Sequence, residues 1–226
     1  MKTLSLYFLF FSLTAICQTV EMQRNENIID EKYVSDSKIQ TQFIILNLNT
    51  QKDFSVFAES TSDSIFSIFV SNNLKDSISL SKQDWHLYII QEAKNKEGDW
   101  KPIEYWKNSW CGNSYLSQTL KSNEIIKTES KAYKGIFKTE IRFKLLLNSK
   151  NYYSNAIKGE IDPNQFDFND SIKDKSGYDN YSKRAGNKTA EKMIFLESSG
   201  MREYTEKNKK YVAWLTKKAK KRNKAK

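Results

Sequence analysis

Residues 137 to 147 read FKTEIRFKLLL. Phe137, Thr139, Ile141, Phe143, Leu145 and Leu147 alternate with Lys138, Glu140, Arg142 and Lys144. A period of two puts each set on its own face of an extended chain. A helix would spread the same apolar side chains around its whole surface, so the pattern predicts a long strand with one face buried and one wet.

Shorter segments repeat this texture on either side. TQFIILNL (41 to 48), FSVFAES (54 to 60), SIFSIFVSN (64 to 72), DSISL (76 to 80), WHLYIIQEA (85 to 93), WKPIEYW (100 to 106) and YYSNAIKGEI (152 to 161) are rich in β-branched and aromatic residues. Clusters of Asn, Asp, Ser, Lys and Gly separate them, as turns separate strands. NKEGDW (95 to 100) predicts a hairpin with Gly98 at a positive φ, and LNSKNYY predicts a second turn joining Leu147 to Tyr152. Pro102 has no N–H for a ladder, so its strand belongs at an edge or a bulge. Many short strands without long helices between them predict a mainly β fold, an antiparallel immunoglobulin-like β-sandwich over residues 41 to 161.

The flanks differ from this body. Residues 18 to 40 read as a loosely ordered N-terminal segment. From Asp162 to Gly186 the chain is polar and turn-rich, which predicts a loop or linker. Residues 187 to 226 read as a helical segment, one broken or two short helices with Gly200 at the break, ending in a lysine-rich tail.

The formal charge is +10, but it is concentrated at one end. Of the 37 Lys and Arg, ten lie in residues 207 to 226, which contain no acid, leaving 27 to face all 27 Asp and Glu. A neutral body with a basic tail predicts attraction to an anionic surface through Lys217, Lys218, Lys220, Lys221 and Arg222. Tyr211, Trp214 and Leu215 meet at helical spacing and would add a one-turn apolar patch, although charge runs are also found as solvated helix ends.

Residues 1 to 17, MKTLSLYFLFFSLTAIC, place Lys2 before an uncharged apolar run from Leu4 to Ile16. The run is shorter than the ~20 residues a spanning helix needs, and Ala15 and Cys17 are small, so a secretory signal peptide is expected with cleavage before Gln18. Lipidation of Cys17 is the rival reading, and Ile16 argues against it. The protein is therefore expected in the periplasm or outside the cell, with no nucleic acid as partner and an envelope protein or glycan as the expected one.

Cleavage there leaves Cys111 as the single cysteine, within WKNSWCGNSY (106 to 115). Cysteine catalysis needs a neighbouring base, and the chain has one histidine, His86. A lone Cys and a lone His more often have separate structural roles, so no catalytic residue is assigned and the protein is read as non-enzymatic, with a Cys111 and His86 enzyme as the weaker alternative. No zinc spacing, phosphate loop or nucleophile elbow occurs, and Asp162, Asp167 and Asp170 lack the calcium-loop pattern, so neither metal nor cofactor is expected. The loop is expected to pack, with Cys111 as a small buried hydrophobe. Its functional version is an aromatic platform in which Trp106, Asn108, Trp110, Asn113 and Tyr115 bind a sugar or a protein partner.

KEGDWKPIEYWKNSWCGNSY, YKGIFKTEIRFKL and YYSNAIKGEI together resemble uncharacterised secreted proteins of Bacteroidetes-type bacteria. The resemblance covers about residues 40 to 165 and implies an exported immunoglobulin-like sandwich without a known activity. The Asp-Ser-Ile triplets at 63 to 65, 76 to 78 and 170 to 172 are similar to the O-glycosylation pattern of exported proteins in that group, with Ser171 the best placed.

Overall fold

The computed structural model describes residues 20 to 50, 53 to 109 and 111 to 224. These residues form fourteen strands and five α-helices. In chain order they are β1 (Gln23–Arg24), β2 (Asn27–Ile29), α1 (Ser37–Thr50), β3 (Phe54–Ser60), β4 (Ile65–Asn72), β5 (Ile78–Gln83), β6 (His86–Leu87), β7 (Ile89–Lys94), β8 (Trp100–Pro102), β9 (Glu104–Tyr105), β10 (Tyr115–Leu120), β11 (Ile125–Lys131), β12 (Phe137–Leu147), β13 (Lys150–Tyr153), β14 (Ile157–Ile161), α2 (Asp170–Ser176), α3 (Tyr178–Ala185), α4 (Asn187–Ile194) and α5 (Gly200–Lys224). Residues 1 to 17, read above as a signal peptide, lie outside the described residues.

The sheets are antiparallel throughout, apart from the two-residue parallel pairing of β1 with β9. One sheet has the order β2-β11-β4-β3. Another runs β13-β12-β7-β8, with β14 pairing the same edge of β12 beyond β13. A third, β10-β5-β6, prolongs the β4 and β11 ribbon. The first two sheets bury their facing sides in one core: Phe66 meets Phe143 edge to face at 5.9 Å, and Phe54 meets Tyr152 at 5.4 Å.

The long strand at 137 to 147 is present, with Ile141, Phe143, Leu145 and Leu147 buried. Both hairpins form as well. Gly98 carries φ +86° between β7 and β8, and Asn148 and Ser149, both at positive φ, turn β12 into β13. Pro102 lies on the edge strand β8, where a missing N–H costs no ladder bond.

Four expectations are corrected. Residues 41 to 48 are helical, because the Asp36 carboxylate accepts from the Ile39 N–H at 2.8 Å and starts α1. Ile39 and Phe43, one turn apart, then pack on Phe57 and Phe69 from the outer face of β3 and β4. Within the segment expected to be loose, residues 20 to 40 are tied down: β2 pairs with β11, and Asn27 Nδ2 donates to Leu87 O while Asn27 Oδ1 accepts from Leu87 N. The 162 to 186 stretch holds a 3-10 turn, Pro163–Phe166, followed by α2 and α3. Asn169 caps α2, and Tyr178 and Tyr181 supply the apolar anchors that the polar composition conceals. Finally, the outer face of β12 is not wet at Lys144, which is 1% exposed and paired with Glu92 and Glu197. The α4 to α5 connection covers it, with Leu196 packed against Ile90 and Trp106.

Candidate functional site

The 106 to 115 loop separates into two unlike halves. The backbone N–H of Trp106 donates to Ile194 O at 2.7 Å, and its ring stacks on Tyr88 at 4.5 Å. At 5% exposure it belongs to the core between the sheet and Leu196, and its Nε1 is buried without a hydrogen-bond partner. A sugar cannot reach that ring. Tyr115 is different: it is 49% exposed, and its single hydroxyl proton is shared between Ser109 O at 2.6 Å and Asn108 Oδ1 at 3.2 Å. Asn113 is exposed on the 3-10 turn Gly112–Ser114. The loop thus brings Asn108 and Tyr115 together, while Trp110 lies outside the described residues.

Cys111 is exposed, contrary to its expected burial. The turn holds it outward, because its own N–H is spent on Ser109 Oγ at 3.2 Å and its carbonyl accepts from Ser114 N at 3.1 Å. His86 is half-buried, and its Nδ1 contacts Asn27 O. No hydrogen bond joins Cys111 to His86 among the described residues.

Of the three aspartates weighed for calcium, Asp162 and Asp170 have other partners. Asp162 caps the 3-10 turn and accepts from Asn164 N and Val20 N, and Asp170 pairs with Lys173, whose ammonium holds the carboxyl below its ordinary range. Among the described residues no group of three or more His, Cys, Asp or Glu is arranged to hold a metal ion.

A buried polar network lies beneath the sheets. Glu104 Oε1 accepts from Tyr133 OH at 2.8 Å and Gln91 Nε2 at 2.9 Å, and Oε2 accepts from Gln91 N at 2.9 Å and Asn25 Nδ2 at 3.4 Å. Burial raises the carboxyl to about 7 against the pull of these four donors. Burial, with the Glu104 charge second, also pushes the Tyr133 hydroxyl well above its ordinary value.

Trp85 is the exposed aromatic that the sequence reading placed inside a strand. Gln83 pairs with His86, so Asp84 and Trp85 are the two central residues of the β5 to β6 hairpin, at φ +49° and +70°. Such turns favour Asn and Gly, and a Trp at positive φ is strained by roughly 1 to 3 kcal/mol. The ring is 63% exposed with Lys82 Nζ 5.1 Å from its centre. Beside it lies a hollow of about 420 Å³ lined by Asn27, Ile28, Asp30, Lys82 and His86. The signal was present as Asp-Trp between two polar-ended strands, the place of a two-residue turn.

The basic tail is the far part of α5. The first turns dock: Tyr204 meets Tyr181 edge to face at 5.1 Å, Lys192 pairs with Glu203, and Lys207 Nζ donates to Thr189 Oγ1 at 2.6 Å. Beyond Tyr211 every side chain from Val212 to Lys221 is exposed among the described residues. Trp214 is 52% and Leu215 41% exposed, with Tyr211 5.9 Å from the Trp214 ring and Lys218 Nζ 4.8 Å above it. Lys217, Lys218, Lys220 and Lys221 all stand in this free stretch. The Arg222 side chain lies outside the described residues.

The chain matches no protein-family model and no curated protein. What its surfaces can do therefore rests on their own chemistry.

Proposed function

We propose that the protein is an exported, non-enzymatic binding protein that presents the outer half of α5 to an anionic envelope surface. The observation that carries this reading is the exposed stretch from Val212 to Lys221, in which Trp214 and Leu215 stand among lysines and no acid occurs. An apolar stripe flanked by lysines is the composition of a helix that lies in a head-group layer. Each lysine near an anionic leaflet contributes about 1 kcal/mol, screened by salt. No described helix is long and apolar enough to cross a membrane, so α5 is read as lying on a surface. Export is supported by the leader-like residues 1 to 17.

The body is read as an immunoglobulin-like sandwich. The order β3-β4-β11 resembles strands A, B and E of that fold, and β8-β7-β12 followed by β13 and β14 resembles C′, C, F and G. β2 from the N-terminal segment occupies the place of D.

Co-sedimentation of the whole chain with vesicles tests the anionic-surface reading. Vesicles with anionic lipid should retain the protein at low salt and release it at high salt, and zwitterionic vesicles should not retain it. K217Q/K218Q/K220Q/K221Q should lose most retention; equal retention of that variant would refute the reading.

A second reading, glycan binding, is favoured by Trp85 rather than by the 106 to 115 loop. Its ring is exposed on a strained turn next to a hollow with Asn27, Asp30 and Lys82 in its lining, an aromatic face beside hydrogen-bonding groups as a sugar site has. Trp85→Ala should abolish retention on whichever envelope polysaccharide retains the wild type; unchanged retention would discard this reading.

A further inference from the structure

A groove separate from both α5 and Trp85 lies where the N-terminal segment, the β8 edge and the helical region meet. Its volume is about 460 Å³, within the range of small-ligand sites. Its walls are Met22, Pro102, Phe137, Phe166, Phe168 and Phe195. Phe137 meets Phe166 edge to face at 6.3 Å, and Phe168 meets Phe195 at 5.2 Å, so the rings brace one another rather than fill the space between them. The turn bearing Phe166 is fixed by the reciprocal bonds of Asp162 and Gln165, which makes this wall preformed.

Polarity is confined to one side. The charged lining residues, Lys96, Glu97 and Lys101, all belong to the β7 to β8 hairpin. Neither lysine forms an ion pair among the described residues, and together they outnumber Glu97. A ligand matching this arrangement is apolar along its length and negative at one end, since an internal polar group would be left without a partner against the phenylalanines.

We propose that this groove binds a fatty acid, with the chain against the four phenylalanines and the carboxylate at Lys96 and Lys101. The test uses calorimetric titration of the whole chain with dodecanoate, dodecanol and dodecyltrimethylammonium at one low salt concentration, the ionic ligands below their micellar concentrations and dodecanol below its solubility limit, because high salt would screen Lys96 and Lys101 as well as α5. Dodecanoate should bind at one site and about fivefold more tightly than dodecanol, as two exposed lysines allow. The cation should bind most weakly.

K96Q/K101Q should remove the preference for dodecanoate while leaving dodecanol binding intact. Phe166→Ala should weaken both. K217Q/K218Q/K220Q/K221Q should change neither, which separates this site from the surface reading of α5. Absence of saturable binding, lack of preference for the carboxylate, or a preference that survives K96Q/K101Q would overturn the proposal. The lysine pair is exposed on a hairpin, so the test does not depend on a variant that risks the fold.

Discussion

Glu104 is a carboxyl with four hydrogen-bond donors and no cation beside it. Its native pKa is raised from 4.5 to about 7, chiefly by burial. Between those values the native chain retains a proton that the unfolded chain has released. Stability from this group is thus complete below pH 4.5 and is lost as pH rises through 7, by roughly 3 kcal/mol in all. Glu104→Gln should remove this fall, so the stability difference between wild type and variant in urea titrations should change by that amount from pH 4.5 to 8. A difference independent of pH would show that Glu104 has the same pKa in the native and unfolded chains. At this scale the sequence was a partial guide. Ile141, Phe143 and Leu145 follow from alternation alone, whereas the burial of Lys144 depends on Glu92 from β7 and Glu197 from beyond α4. Cys111 failed for a similar reason: its exposure is fixed by two hydrogen bonds to Ser109 and Ser114 that composition does not encode.

Among the elements, the strands and hairpins were the most legible because their signals are local. Gly98, Pro102 and the Asn148-Ser149 pair each declare a backbone geometry that few residues accept. α1 was misread because a short apolar run fits either period, and the deciding cap, Asp36, stands outside the run. The connection from β11 to β12 is fixed by sterics. A Cβ on Gly135 would sit 2.1 Å from the backbone carbon and oxygen of Ile161, whereas one on Gly112 would meet nothing within 4 Å. Gly135→Ala should therefore destabilise the protein by about 3 kcal/mol or more, in the class of severe backbone strain, and Gly112→Ala should stay within about 0.5 kcal/mol. Thermal unfolding of the two variants compares them directly, and equal melting points would contradict the packing of β12 against β14.

For the molecule as a whole, the antiparallel β body and a C-terminal helix were legible, and the way they join was not. Leu196, Phe195 and Trp106 close the outer face of the β7 and β12 sheet through contacts between residues some ninety positions apart. That closure anchors the start of α5, and its basic end stays exposed among the described residues. The aromatic surface expected at 106 to 115 moved for the same reason, since Trp106 is consumed by the joint while Trp85 is exposed. The central claim is that the free end of α5 is the docking element. Hydrogen exchange of the whole chain, followed peptide by peptide with and without anionic vesicles, tests it most directly. The amides of residues 209 to 221 should exchange rapidly in solution and become protected on vesicles, with the sheets unchanged. Protection elsewhere, or none in 209 to 221 while the protein is vesicle-bound, would contradict the account.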